Sequence, residues 1–220
     1  MPADVGDFTT RAVAGLVQNA LFPLWDKERR KMKRLDRWHR NDLEEGPNGD
    51  LPYLRRATKE YRTLQRISTT PWARLVVNST VDVLHLEGLV DGDGNTDEET
   101  WRVWQANGMD GRQSSLWEGA TALGRSYVTA EPGRDPLSGE QMPRLRVWPA
   151  TQTLTYYEDP ANDDWPIYAM IGRWAKKSDG SGFWRMHVYD DERVFTVDVD
   201  PNGGDAKYIE FSEHGAGVCP

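Results

Sequence analysis

Eight Lys and Arg residues crowd the stretch DKERRKMKRLDRWHR from Asp26 to Arg40: Lys27, Arg29, Arg30, Lys31, Lys33, Arg34, Arg37 and Arg40. Cations at this density on one surface bind phosphates by releasing counterions, so duplex DNA is one ligand that the pattern suits. A protein neighbour is the other. Asp26, Glu28 and Asp36 are interleaved as ion-pair partners at helical spacing, and Met32, Leu35 and Trp38 form a narrow apolar line at three-residue steps. The interleaved acids favour a solvated face or subunit interface over a phosphate row.

Other chemistry-bearing residues lead to scaffold roles. Asp91, Asp93 and Asn95 imitate the first half of a calcium loop, yet position six is Thr96 instead of Gly and position twelve is Arg102 instead of Glu. A turn and helix cap is the expected role there. His39, His85, His187 and His214 are scattered and form neither an HExxH nor a Cys/His pattern, so no metal is expected. There is no phosphate-binding glycine loop, nucleophile elbow or dinucleotide fingerprint. Carboxylates are abundant, but an acid/base pair is defined by distance and perturbed pKa, not by number. The expectation is a protein that is not an enzyme and takes no cofactor. Trp174 and Trp184 fall in predicted strands, where exposed rings would stack on sugars or bases and packed rings would fill a core or interface.

The elements that position these residues are legible from periodicity. Thr9 to Leu43 reads as a helix broken or kinked at Pro23, with Ala12, Leu16, Ala20 and Leu24 on one face. EGPNGD at 45–50 is a loop, and Tyr53 to Ile67 reads as a helix burying Leu54, Tyr61, Leu64 and Ile67. Thr70 as N-cap and Pro71 at the first helical position start the next helix. Its apolar face holds Trp72, Ala73, Leu75, Val76, Val77, Val81 and Leu84, and it ends near His85. Leu86 to Val90 is a short apolar run stopped by the turn residues at 91–95. Thr96 with Glu99, then Asp110 with Gln113, read as capping boxes for helices that carry Trp101, Val103 and Trp104, then Leu116, Trp117, Ala120 and Leu123. Asn107–Gly108 and Gly124 are the stops. Arg125 to Glu131 is a strand.

Beyond Glu131 the period changes to alternation, predicting strands at Leu145 to Trp148, Thr153 to Tyr157, Ile167 to Trp174, Phe183 to Tyr189, Val194 to Val199 and Lys207 to Phe211. Asn202–Gly203 suits a tight hairpin turn. The fold class is therefore α+β, N-terminal helices packed with a mostly antiparallel β-rich region. Residues 1–130 form the helical part and 131–220 the β-rich part.

The 220 residues suffice to bury roughly 70% of the unfolded surface. Ten Trp, eight Tyr and five Phe supply large apolar area, which sets this composition apart from disorder despite 28% charged residues. Net charge is −8, but residues 1–80 hold 15 Lys and Arg against 10 Asp and Glu (+5), while residues 81–220 hold 12 against 25 (−13). Cys219, the single cysteine, can form no intrachain disulfide. No segment reads as a membrane span or signal peptide, so a soluble protein made in a cytoplasm is expected.

The order helix, short strand, helix, helix, strand over Thr69 to Ala130 resembles the wing region of siphophage portal proteins. The residues carrying the likeness are Trp72 to Val77, Glu87 to Leu89, Trp101 to Asn107, and the strand entry Gly124 to Val128. It extends upstream through Leu35, Asp36, Arg37 and Trp38 and LPYLRRATKEYRTLQRIS at 51–68, and downstream to His214, Gly215 and Gly217. The resemblance implies a wing without stem, clip and crown, whether as the N-terminal part of a longer protein or a truncated relative. It further implies a ring, commonly of twelve subunits, at one capsid vertex. Double-stranded DNA passes through such a ring during packaging and ejection, and its partners are itself, the major capsid protein, terminase and head-tail connector proteins. Location would be the virion, and the host cytoplasm during assembly.

Two other classes remain open on the residues alone. A ligand-binding β module, for carbohydrate, predicts a monomer with an exposed Trp cleft, and a metal-dependent nuclease predicts clustered carboxylates.

Overall fold

The computed structural model describes residues 5–42, 58–67, 70–135, 138–202 and 204–220. Helices α1 (Val5–Leu16) and α2 (Phe22–Arg40) are joined by a widened turn, Val17–Leu21, closed by the Phe22 N–H on the Val17 carbonyl. Pro23 explains the widening. It lacks a donor, and its ring would collide with the carbonyl four residues back, at Asn19, inside that turn. The expected break thus takes the form of a wider helical turn that keeps α1 and α2 continuous.

The same turn selects the buried face. Val13, Val17, Leu21 and Trp25 pack inward, one residue on from the expected line, of which Leu16 also packs on this cluster while Ala12, Ala20 and Leu24 are exposed. A four-residue step overshoots the 3.6-residue turn of an α-helix, and the wider turn absorbs that drift, so the bulky side chains stay aligned. Farther along α2 the buried residues are Trp25, Met32 and His39, at seven-residue steps. Of the expected apolar line only Met32 is buried, and Leu35 and Trp38 are exposed.

Helix α3 covers Lys59–Ile67, and Tyr61, Leu64 and Ile67 are exposed, contrary to the expected burial. Leu54, the loop at 45–50 and Gly203 lie outside the described residues. Helix α4 (Trp72–Val81) starts one residue later than expected, with Pro71 at the N-cap and no side-chain cap. The Leu86 to Val90 run forms only a bridge from Val90 to Thr96 across the Asp91–Asn95 turn. That bridge engages Thr96, so Asp97 caps α5 (Glu98–Ala106) instead, accepting from the Thr100 N–H at 2.9 Å and its hydroxyl at 2.6 Å. Helix α6 (Met109–Leu123) begins after Gly108 in the left-handed region (φ 63°), with no side-chain cap. Gln113, expected in a capping box, is buried and accepts from the Leu86 N–H at 2.8 Å, tying the segment after α4 to α6.

Strands β1 (Tyr127–Glu131) and β2 (Arg144–Trp148) pair antiparallel. Strands β3 (Thr153–Tyr156), β4 (Tyr168–Lys176), β5 (Gly182–Tyr189), β6 (Arg193–Val199) and β7 (Lys207–Glu213) form a five-stranded antiparallel meander in sequence order. One face of the meander presents Leu154, Met170, Met186, Val188, Phe195, Val197 and Val199 to Val17, Leu21 and Trp25. On its other face Ala169, Ile171 and Tyr189 pack with Trp148 and Cys219. A third cluster, Met32, Leu123 and Ala150, joins α2 to α6. The result is α+β, with helices on one face of an antiparallel sheet and the β1–β2 pair against the other.

Candidate functional site

The basic segment occupies α2, where acids on the same helix hold several of its cations. Arg30 pairs with Asp26 at 2.6 Å and Arg40 with Asp36 at 2.8 Å. Arg29 bonds Asp26 at 3.4 Å and lies 4.4 Å from the Trp184 ring centroid and 5.2 Å from that of Trp25, so its guanidinium is part of the packing between helix and sheet. Glu28 reaches off the helix to Arg125, at 2.8 Å. Lys27, Lys31, Lys33 and Arg34 are exposed, and Arg37 is half-buried. At 100° per residue Lys27, Lys31 and Arg34 share one arc with the exposed Leu24, Leu35 and Trp38. A basic stripe interrupted by apolar side chains suits a protein neighbour better than a row of phosphates.

A larger apolar surface lies on α4. Val77 is buried and Val81 half-buried, which fixes one face of the helix inward. Trp72 and Val76 point away from it, and 66% and 62% of their surfaces are exposed, with Leu75 beside them and Val83, in the turn after the helix, 78% exposed. The apolar face recognised in the sequence therefore wraps both sides of α4, and the isolated chain buries only one. A contiguous exposed apolar helix face marks an interaction surface.

The end of the molecule bearing β2 carries positive charge. A recess of about 610 Å³ is lined by Arg112 of α6, Arg134, Arg144 and Arg146 of the β1–β2 region, and Arg173 of β4. Arg173 lies over the Trp148 ring at 4.7 Å, and Trp148 donates from Nε1 to the Thr129 hydroxyl at 3.0 Å. Glu131 accepts from the Tyr189 hydroxyl at 3.2 Å and stands 3.9 Å from Arg146. Burial and the Glu131 charge push the Tyr189 hydroxyl up to about 12. Burial, then the charges of Arg173 and Arg185, hold His187 below its ordinary value. The sequence reading missed this cluster because its members come from α6, the β1–β2 region and β4.

The remaining candidates resolve into structure. The Asp91 carboxylate accepts from the backbone N–H groups of Asp93 and Asn95, closing the turn. No group of His, Cys, Asp and Glu among the described residues has the geometry of a metal site. Trp184 packs edge-on to Trp25 at 4.9 Å and Trp174 edge-on to Trp184 at 5.0 Å, while Gly182 leaves the space that Trp174 occupies. These rings pack edge to face, with Trp25 buried, Trp184 partly buried and Trp174 half exposed. No helix among the described residues is long and apolar enough to cross a membrane.

A family model described as phage portal protein, SPP1 Gp6-like, matches residues 20–220. Comparison with curated protein sequences gave no match.

Proposed function

Because the chain belongs to the phage portal protein family, SPP1 Gp6-like, we propose that it serves as a non-catalytic subunit of a portal ring at a capsid vertex. Its described helices and sheets constitute the wing. In this reading about twelve copies surround the channel through which double-stranded DNA is packaged and ejected. Terminase, the major capsid protein and head-tail connector proteins dock on the ring. The observation that supports assembly is the α4 face of Trp72, Leu75 and Val76, which an isolated subunit leaves in water. A closed ring joins unlike faces of neighbouring subunits, so one such face on each copy meets a different surface on the next. The Lys27, Lys31 and Arg34 stripe with Leu24, Leu35 and Trp38 suits a second contact of this kind.

Mass photometry and negative-stain imaging of the complete open reading frame's product test the reading. A ring with a central hole is expected, and a compact monomer overturns it. Reversing Lys27, Lys31 and Arg34 to Glu together is expected to impair ring assembly or DNA retention. Normal rings and normal packaging in that variant remove α2 from the contact surface.

A further inference from the structure

The recess between the α5–α6 corner, β2 and β4 is lined by five arginines, Arg112, Arg134, Arg144, Arg146 and Arg173, and by no carboxylate. Like charges gathered in one cleft repel one another and focus a positive potential, so the arrangement is most stable when an anion enters. Glu131, at the end of β1, is already engaged by the Tyr189 hydroxyl and Arg146. Arg173 lies over the Trp148 ring, and Arg134 donates to the Gly139 carbonyl at 3.4 Å. The side chains of Arg112 and Arg144 have neither an ion pair nor a hydrogen bond among the described residues. Their donors are available, and a guanidinium offers the planar fork that a carboxylate fills with two parallel hydrogen bonds.

We propose that this recess receives carboxylates carried by a neighbouring copy of the chain. The proposal rests on the ring reading and names one of its contacts. Two observations favour this occupant. Residues 81–220 hold 25 Asp and Glu against 12 Lys and Arg, so an arginine cleft within that half faces a surplus of acids on every other copy. A recess of about 610 Å³ admits a few side chains but not a double helix, whose phosphates lie on a convex cylinder too wide to enter. Heterologous packing then supplies the acids from a different face of the next subunit.

Cross-linking tests this directly. Arg112→Lys and Arg144→Lys keep the charge and supply an amine that carbodiimide couples to a touching carboxylate with loss of water. Rings of the complete gene product are assembled from mixed nitrogen-14 and nitrogen-15 copies. Mass spectrometry is expected to show amides from position 112 or 144 that join a light peptide to a heavy one. In parallel, the double variant Arg112→Glu with Arg144→Glu is expected to raise the concentration for half-assembly about tenfold at low salt. The difference should narrow near 0.5 M NaCl, as screening shortens the reach of the charges. Melting of the unassembled chain should be unchanged.

Rings that form normally with cross-links absent, or confined to one copy, overturn the proposal while leaving the portal reading intact. So does a charge-reversed variant that assembles normally but loses affinity for a short DNA duplex in fluorescence anisotropy, which would make phosphate the ligand. A wild-type product that forms no oligomer overturns both readings.

Discussion

The indole of Trp25 lies directly on the backbone of Gly172: a Cβ at position 172 would stand 2.6 Å from Trp25 Cζ2 and 3.0 Å from Met186 Sδ. The Gln152 carbonyl accepts both Trp25 Nε1–H at 3.0 Å and the Gly172 N–H at 2.8 Å. Helix α2, the entry to β3 and the middle of β4 therefore meet at one point. Gly172→Ala is expected to cost about 1–3 kcal/mol by overpacking, and Trp25→Ala about 3–5 kcal/mol by leaving a cavity. Denaturant unfolding of the double variant should show less than the sum, since the two residues touch.

On α4 the two faces should separate stability from assembly. Val76→Glu alters a solvent-facing position and should change the stability of the single chain by no more than about 0.5 kcal/mol, yet block ring formation seen by mass photometry. Val77→Ala on the inward face should do the reverse. It is expected to lower the chain's stability by about 1–2 kcal/mol while rings still form at temperatures where the chain is folded.

At the start of α5, Asp97→Ala should lower the melting temperature, whereas Thr96→Ala should leave it nearly unchanged. Hydrogen bonds from the Thr100 side chain and N–H hold the Asp97 carboxyl below its ordinary value. A depressed carboxyl contributes stability above its unfolded pKa and loses it as pH falls through the folded value. The gap between wild type and Asp97→Ala should therefore close in acid, as differential scanning calorimetry across pH 2–7 can read.

Cys219 is buried beside Trp148 and Tyr189, and its thiol points toward the Tyr189 carbonyl at 3.6 Å. Burial pushes the thiol up to about 11. Only the thiolate reacts, so alkylation by iodoacetamide at pH 8 should be slow in the folded chain and rapid in denaturant. The native state retains its proton longer than the unfolded chain, so this group's contribution falls as pH rises from about 9 to 11. Equal alkylation rates in folded and denatured protein would count against the packing of the last residues on the sheet.

How far the sequence reaches varies from element to element. Alternation and the Gly, Pro and Asp separators located the later strands to within about two residues, because a strand's period is local and its turns need particular backbone conformations. Caps were less legible: Thr96 and Asp97 are both competent acceptors, and only the Val90–Thr96 bridge decides between them. The wide turn before Pro23 is legible as a break but not as a means of realigning Val17, Leu21 and Trp25. Helix periodicity found the apolar residues of α4 without showing which would be covered, since burial depends on neighbours that a local pattern does not contain. Cys219 gave no sign of its burial against β4 and β5 for the same reason.

By itself, then, the amino-acid order determined the α+β class, the positions of the later strands along the chain, the basic run in α2 and the resemblance to the portal wing. All of these depend on residues near one another in the chain. Tertiary structure alone decided which face of α4 stays in water, that Trp174 packs edge to face on Trp184 and Trp184 on Trp25, and that Arg112, Arg134, Arg144, Arg146 and Arg173 share one recess. Those relationships join residues distant in sequence, and the pairing of strands and the packing of helices across them are what set their distances.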